Sequence, residues 1–252
     1  NRFIHLMLWR YSQTSKKYRE SFFYSIKELL TQLLEDNEIK ECVEANRDVL
    51  ITMDPVLSLE RQIEQIEYLI DEGVKVIFLN PVNKSGLHDV LEKCKQNNVK
   101  VIVIDTNVEE DDYYSTAIVS DNYDAGVQAA LDMMSRKESA RILLLNHSET
   151  VSGYSRIQGF VDTIMKHPQY QIIGSGECKG QLELAMPIVE SFLSRGIYFD
   201  VVMALNDPAA MGCLAALQNA TVENVLVYGV DGTPDCKQLI ANGKMHATIA
   251  QS

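Results

Sequence analysis

The stretch 225-VLVYGVDGTPD-235 combines a run of apolar, β-forming residues with an abrupt polar stop at Asp231-Gly232. Asp-Gly is a favoured two-residue turn, so one interpretation is a β-hairpin. The other is a buried strand whose carboxyl end holds a ligand-binding acid. No strand of matching character follows Gly232 within two residues. The hairpin interpretation therefore fails, and the stretch favours a strand that ends in a ligand-facing carboxylate.

The rest of the chain repeats this pattern of short apolar runs followed by amphipathic stretches. The apolar runs are nearly continuous rather than alternating, which predicts strands whose two faces are both buried under helices. Repeated βα units of this kind form parallel, doubly wound sheets, so we predict an α/β protein. The predicted strands are 3–9, 48–53, 74–79, 99–105, 115–120, 140–146, 170–176, 200–205, 224–230 and 246–252, and the predicted helices are 18–35, 57–73, 85–98, 122–136, 154–166, 182–195, 208–219 and 234–242.

The acidic segment 108–114, VEEDDYY, interrupts this alternation and predicts a connection between two sheets. We therefore expect two doubly wound lobes. The first comprises residues 1–107, the second comprises 108–249, and residues 250–252 begin a return crossing.

The composition argues against two classes of partner. The formal net charge is −12, and such a surface repels phosphate backbones, so no nucleic-acid partner is expected. No apolar run approaches the roughly 18 residues that a membrane span needs.

Neither the cysteines nor the histidines predict a chemical site. The five cysteines are scattered, with no CxxC pair, so we expect small buried hydrophobes rather than disulfides or a zinc site. The five histidines pair with no nucleophile in a known motif, and no glycine-rich phosphate loop follows a strand. We therefore expect no metal, no cofactor and no enzymatic activity.

Five predicted strands are followed directly by a planar amide or carboxylate, and this is the main functional signal of the sequence. In open α/β sheets, ligands bind outside the carboxyl ends of the strands. Local alternatives exist, since Asn80-Pro81 is compatible with a simple turn, and the Asp105 and Asp231 side chains with support of their own loops. The five strand-end residues are Asn80, Asp105, Asn206, Asp231 and Gln251.

In the segment 204-ALNDPAAMG-212, we expect Asp207 to cap the following helix and Pro208 to be its first helical residue. This assignment leaves Asn206 without a local role, so its side chain is expected to face the ligand.

The chemistry of these side chains suits a polyol. Asp, Asn and Gln carry two polar atoms spaced to engage adjacent hydroxyls. Arg156, at the start of a predicted helix, adds a forked donor. Phe22 and Phe23 open the first predicted helix, and either ring is a candidate to present its face to sugar C–H groups.

Several segments together resemble the ribose-binding type of ABC transporter substrate-binding protein, in the periplasmic binding protein-like superfamily. The resemblance runs from about residue 60 to the end of the chain in matching order. The segments before it match less well, although SFFYSIKE at 21–28 resembles the aromatic-led first helix of the family. The matching segments are RQIEQIEYLIDEGVKVIFLNPVN (61–83), VIVIDTN (101–107), SDNYDAG (120–126), SRIQGF (155–160), LNDPAAMGCLAALQ (205–218), VYGVDGTPD (227–235) and GKMHATIAQS (243–252).

The resemblance implies a type I periplasmic binding protein fold, with two lobes joined by a hinge that close on a sugar. It places Asn80, Asp105, Arg156, Asn206, Asp231 and Gln251 at sugar-contacting positions, with Phe22 and Phe23 as stacking candidates. It also implies that the chain ends at the second crossing, short of the family's final segment.

Two positions depart from the ribose-type pattern. Thr106 stands where that pattern has Arg, and Gly180 stands where it has an aromatic residue. Thr106 is kept among the expected ligand-binding residues. Trp9, Arg10 and Tyr11 follow the first predicted strand and are candidates to compensate.

The leading functional hypothesis is an extracytoplasmic receptor that delivers a monosaccharide or similar polyol to the membrane permease of an ABC transporter. One alternative is a sugar receptor that signals to a membrane histidine kinase. Another is the effector-binding domain of a LacI-type transcription regulator, which would be cytoplasmic.

Overall fold

A computed structural model describes residues 51–109 and 112–251 of the chain. The chain divides into two compact units, Asn1–Val119 and Ser120–Ser252, called here unit 1 and unit 2. In the described part, the helices are α1 Leu59–Asp71, α2 His88–Gln96, α3 Asn122–Arg136, α4 Val151–Ile164, α5 Leu182–Ser194, α6 Asp207–Asn219 and α7 Pro234–Ala241. The strands are β1 Val76–Leu79, β2 Lys100–Asp105, β3 Thr116–Val119, β4 Ala140–Asn146, β5 Tyr170–Glu177, β6 Val201–Ala204, β7 Leu226–Asp231 and β8 Ala247–Ala250.

The described part of unit 1 contains a parallel three-stranded sheet in the order β1-β2-β3, with α1 and α2. Ser58 begins α1 by accepting a hydrogen bond from the Arg61 backbone N–H, and Gly73 follows the helix with a φ of 79°. The apolar face of α1 and the strands form one buried cluster that includes Ile66 and Val101. The predicted βα alternation is thus observed here.

The division between the units differs from the expected boundary at residue 107. Strand β3 pairs in parallel with β2, with Val103 opposite Ala117, so 116–119 belongs to the sheet of unit 1. The acidic segment therefore lies, along the chain, between two paired strands of one sheet rather than between two sheets. The strand predicted at 48–53 is not observed at 51–53, where the described residues form no strand.

Unit 2 contains a parallel five-stranded sheet in the order β5-β4-β6-β7-β8. Alternate residues of its strands enter two different buried clusters. Leu143 and Val202 belong to the cluster that includes residues of α5 and α6, whereas Ile142 and Val201 belong to the cluster that includes residues of α3 and α4. The sheet is therefore covered by helices on both faces, as the continuous apolar runs predicted.

Cys94, Cys178, Cys213 and Cys236 are free and buried, as expected for small hydrophobic residues, and Cys42 lies outside the described residues. Burial raises the pKa of the Cys178 thiol to about 11 and that of Cys94 to about 12. Among the residues that the structure describes, no helix is long and apolar enough to cross a membrane.

Candidate functional site

The parallel sheet of unit 2 brings the polar ends of all its strands to one edge. Strands β4 and β5 end in Asn146 and Glu177, Asn206 comes shortly after β6, β7 ends in Asp231, and Gln251 follows β8. Because parallel strands share a carboxyl edge, this sheet order places the five residues on the same side of the unit. This carboxyl edge is the candidate site.

Arg156 of α4 is the centre of the site. Its side chain is 4% exposed, and its Nη1 atom lies 3.1 Å from Asp231 Oδ1. The same nitrogen donates to the Leu205 carbonyl oxygen at 3.0 Å, and Nε donates to Asn122 Oδ1 at 2.8 Å. The guanidinium is thus held by partners from three other segments, which removes most of its freedom before any ligand arrives.

Asp231 is both the last residue of β7 and an acceptor for two donors. Its Oδ1 atom accepts from Arg156 Nη1 and from Gln251 Nε2, the latter at 3.2 Å. Its backbone has a φ of 125°, an unusual conformation for a residue with a side chain. Residues with such backbone strain occur preferentially at functional sites.

Asn206 differs from the sequence expectation, because it caps helix α6 itself. Its Oδ1 atom accepts from the Ala209 backbone N–H at 3.1 Å, and its Nδ2 atom donates to the Gly180 carbonyl oxygen at 3.0 Å. The expectation that Asp207 is the cap and that Asn206 has no local role is therefore wrong. The two bonds fix the orientation of the amide and leave one N–H of Nδ2 to offer to a ligand.

Asp207 is the first residue of α6 and is fully buried. Its carboxylate accepts hydrogen bonds from the Thr233 backbone N–H at 2.7 Å, from the Thr233 hydroxyl at 2.8 Å and from the Thr248 hydroxyl. The sequence indicated only a capping role for Asp207. It did not indicate that this carboxylate is buried and contacts the turn after β7 and strand β8.

Sequence reasoning also missed the ends of β4 and β5. Asn146 Oδ1 is buried without a hydrogen-bond partner in the described structure. Next to it along the chain, the Ser148 backbone N–H donates to Glu177 Oε2 at 3.0 Å, and Lys179 Nζ lies 3.3 Å from Glu149 Oε2. The rule that identified the other strand ends, a polar residue at the end of an apolar run, applied equally to Asn146.

His147 lies beside this group and is buried. Burial lowers the pKa of its imidazole below the ordinary value of 6.5, and the carboxylates of Glu149 and Glu177 only partly oppose this effect.

Unit 1 carries a smaller polar edge of the same kind. Asn80 follows β1 and Asp105 ends the neighbouring strand β2, and Asn80 Nδ2 lies 3.3 Å from Asp105 Oδ2. Asp105 has a φ of 68°, which parallels the positive φ of Asp231 in unit 2. The buried Gln62 of α1 supports this edge, because it donates to the Asn80 carbonyl oxygen and accepts from the Val82 N–H.

The remaining predicted residues divide into two groups. Thr106 is only 3% exposed, so its side chain lies mostly within unit 1. The aromatic and N-terminal candidates lie outside the described residues, namely Trp9, Arg10, Tyr11, Phe22 and Phe23. Among the described residues, no cluster of His, Cys, Asp and Glu that could hold a metal ion is found.

Residues 16–252 match the periplasmic binding protein domain family. The chain belongs to this family. The matched region includes both polar edges, so the candidate site lies within the part of the chain that matches the family. The α/β fold with parallel sheets and the resemblance to ribose-type sugar-binding members are thereby confirmed.

Individual periplasmic binding proteins resemble this chain over most of its length. The ribose import binding protein RbsB of Escherichia coli (strain K12) is 28% identical over 205 residues, which are 80% of this chain and 68% of that protein. The galactofuranose-binding protein YtfQ of the same strain is 25% identical over 227 residues, 85% of this chain and 71% of that protein.

A solved structure shows the same relationship. The periplasmic binding protein component of the arabinose ABC transporter from Shewanella sp. ANA-3, bound to L-arabinofuranose, superimposes with a TM-score of 0.80. The two sequences are 26% identical, and the match covers 88% of this chain and 76% of the arabinose-binding chain.

Proposed function

We propose that the protein binds a monosaccharide or a similar polyol without changing it chemically and delivers it to the permease of an ABC transporter. The observation that carries this proposal is the carboxyl edge of unit 2, where Arg156, Asp231 and Gln251 form one hydrogen-bonded array. Asn206 joins the same edge with its amide held in one orientation.

The composition of the site favours a neutral, hydroxyl-rich ligand. An anionic ligand would meet Asp231 and Glu177, whereas a cationic ligand would meet the buried guanidinium of Arg156. Hydroxyl groups both donate and accept, so one sugar can satisfy amide N–H groups and carboxylate oxygens together. Each hydrogen bond to a charged partner contributes about 1.5–3 kcal/mol, and five or six of them, less the cost of ordering, reach the roughly 8 kcal/mol of micromolar binding.

The proposed ligand-binding residues come from both units. They are Asn80 and Asp105 of unit 1 and Arg156, Asn206, Asp231 and Gln251 of unit 2. The positive φ of both strand-terminal aspartates supports this assignment, because 68° at Asp105 and 125° at Asp231 both lie in a range that residues with a side chain rarely adopt.

Transport as the purpose of binding is supported by the relatives, which are named as import or ABC transporter binding components for ribose and arabinose. Delivery to a permease places the protein outside the cytoplasm. The proposed partners are therefore a sugar and a membrane permease.

A panel of pentoses, hexoses and cyclitols tests the proposal. A ligand that binds the folded state raises the melting temperature, so at least one sugar should do so and should give a saturable isotherm near micromolar Kd in calorimetry. Arg156→Met, which keeps an unbranched stem and removes the forked donor, should lose that response. A panel in which no member raises the melting temperature would refute sugar binding.

Uptake measurements separate transport from signalling. Cells that lack the protein should lose high-affinity uptake of the sugar identified by the panel. Unchanged uptake, with loss of a transcriptional response to the sugar, would instead support the receptor for a sensor kinase.

A further inference from the structure

We propose that Asp207 is a positioning residue that sets the places of Asn206, Asp231 and Gln251 without touching the ligand. This inference rests on the proposed function, since it assigns a role within the proposed sugar site. Asp207 is fully buried, so its carboxylate forms hydrogen bonds with other protein groups rather than with solvent.

The three donors to Asp207 come from two other segments of unit 2. Thr233, the cap of α7, donates from both its backbone N–H and its hydroxyl to Oδ2. Thr248 of β8 donates its hydroxyl to Oδ1, and the same hydroxyl accepts from the Gly232 N–H at 3.1 Å. One carboxylate therefore joins the start of α6, the turn after β7 and strand β8.

Each proposed ligand residue is a close chain neighbour of this network. Asn206 precedes Asp207 directly, Asp231 precedes the turn residues Gly232 and Thr233, and Gln251 follows the strand that contains Thr248. The backbone pairing of β7 and β8 extends to Asp231 and Ala250, but it orients neither the Asp231 side chain nor the residues that follow the strand ends. The carboxylate of Asp207 supplies that orientation.

The sheet makes room for the carboxylate at Gly229. Strand pairing places Gly229 of β7 opposite Thr248 of β8. A Cβ atom at Gly229 would lie 2.5 Å from Asp207 Oδ1, closer than two such atoms can approach. The space above Gly229 is thus occupied by the Asp207 carboxylate. Asp207 is the first residue of α6, so its negative charge also interacts favourably with the N-terminus of that helix.

The test compares Asp207→Asn with a matched control, Asp200→Asn. Asp200 is also a mostly buried carboxylate of unit 2. It accepts from the Arg141 N–H and from Lys137 Nζ, both at 2.7 Å, but these contacts join the amino ends of the strands. Both variants should lower the melting temperature. Only Asp207→Asn should weaken sugar binding, by about tenfold or more in calorimetry well below either melting temperature.

A double-variant comparison distinguishes positioning from general damage. If Asp207 acts through Gln251 and Asp231, the loss caused by Asp207→Asn should shrink in a Gln251→Ala background. Thr248→Val removes one donor to Asp207 and the acceptor of the Gly232 N–H. This variant serves if Asp207→Asn does not fold, and it should weaken binding in the same direction. Affinity within twofold of wild type in the folded variant, or an equal loss in Asp200→Asn, would overturn the proposal.

A measurement without sugar keeps this inference separate from the proposed function. The side-chain amide of Gln251, which donates to Asp231, gives its own NMR signal. Asp207→Asn should shift that signal and Asp200→Asn should not. An unmoved signal refutes the positioning role even if the wild-type protein binds a sugar, and a failed sugar panel refutes the proposed function even if the signal moves.

Discussion

The guanidinium of Arg156 and the carboxylate of Asp231 form an ion pair, 3.1 Å apart, at the carboxyl edge of the unit 2 sheet. The arginine is 4% exposed and the aspartate 30% exposed, so the pair is buried on one side only. Removing the carboxylate would leave a buried cation with fewer partners, whereas the Leu205 and Asn122 oxygens would remain. The pair therefore contributes to stability as well as to the proposed ligand binding, and each variant needs separate measurements of stability and affinity.

Asp231→Asn and Asn206→Ala should each weaken sugar binding at least tenfold, which corresponds to about 1.4 kcal/mol. Asp231→Asn keeps an oxygen that can accept from Arg156, so the variant should fold. Asn206→Ala also removes the cap of α6 and should lower the free energy of unfolding by about 1 kcal/mol. Calorimetric titration and urea denaturation measure the two effects.

Asp162→Asn is the matched control for these two substitutions. Asp162 lies on α4, the helix of Arg156, and its carboxylate accepts from Tyr123 and Gln158 rather than from groups at the carboxyl edge. The affinity of the Asp162→Asn variant for the sugar should equal that of the wild type. Wild-type affinity in both site variants would refute the assignment of the site.

Gly180→Ala should weaken sugar binding through Asn206. The Cβ atom of an alanine at this position would lie 2.7 Å from Asn206 Nδ2, which donates to the Gly180 carbonyl oxygen. The φ of 69° also disfavours any side chain, at a cost of about 1–2 kcal/mol in stability. Affinity and melting temperature should therefore both fall.

Gly196→Ala controls for the backbone effect alone. Gly196 has a φ of 67°, and no atom lies within 4 Å of a Cβ built there. It should lose a similar amount of stability and keep the affinity. If the two glycine variants bind sugar equally well, the Gly180 carbonyl does not orient Asn206.

His147 should make the protein less stable in mild acid. Burial lowers the pKa of the folded-state imidazole below 6.5, so the unfolded chain takes up a proton that the folded chain excludes. This contribution to stability is fully present above the ordinary pKa of 6.5 and is lost as the pH falls towards the lowered value. Urea midpoints between about pH 7.5 and about pH 5.5 should fall more for the wild type than for His147→Gln. Parallel pH profiles of the two proteins would contradict this assignment.

The order of strands and helices followed from the sequence because it depends on local patterns. Continuous apolar runs identified every strand from β1 to β8, and the amphipathic stretches between them identified the helices. The end of unit 1 did not follow from these patterns. Strand β3 joins β2 through hydrogen bonds between residues distant along the chain, and a local acidic loop carries no information about that pairing.

The sequence by itself determined which polar residues stand at the strand ends, since Asn80, Asp105 and Asp231 each terminate an apolar run. Only the tertiary structure decided which hydrogen bonds the polar side chains near the strand ends make. It made Asn206 a helix cap, placed the buried carboxylate of Asp207 between the turn after β7 and strand β8, and joined Arg156 to Asp231 across 75 residues. Hydrogen bonds of this kind depend on distances set by sheet order and packing, which no single segment encodes.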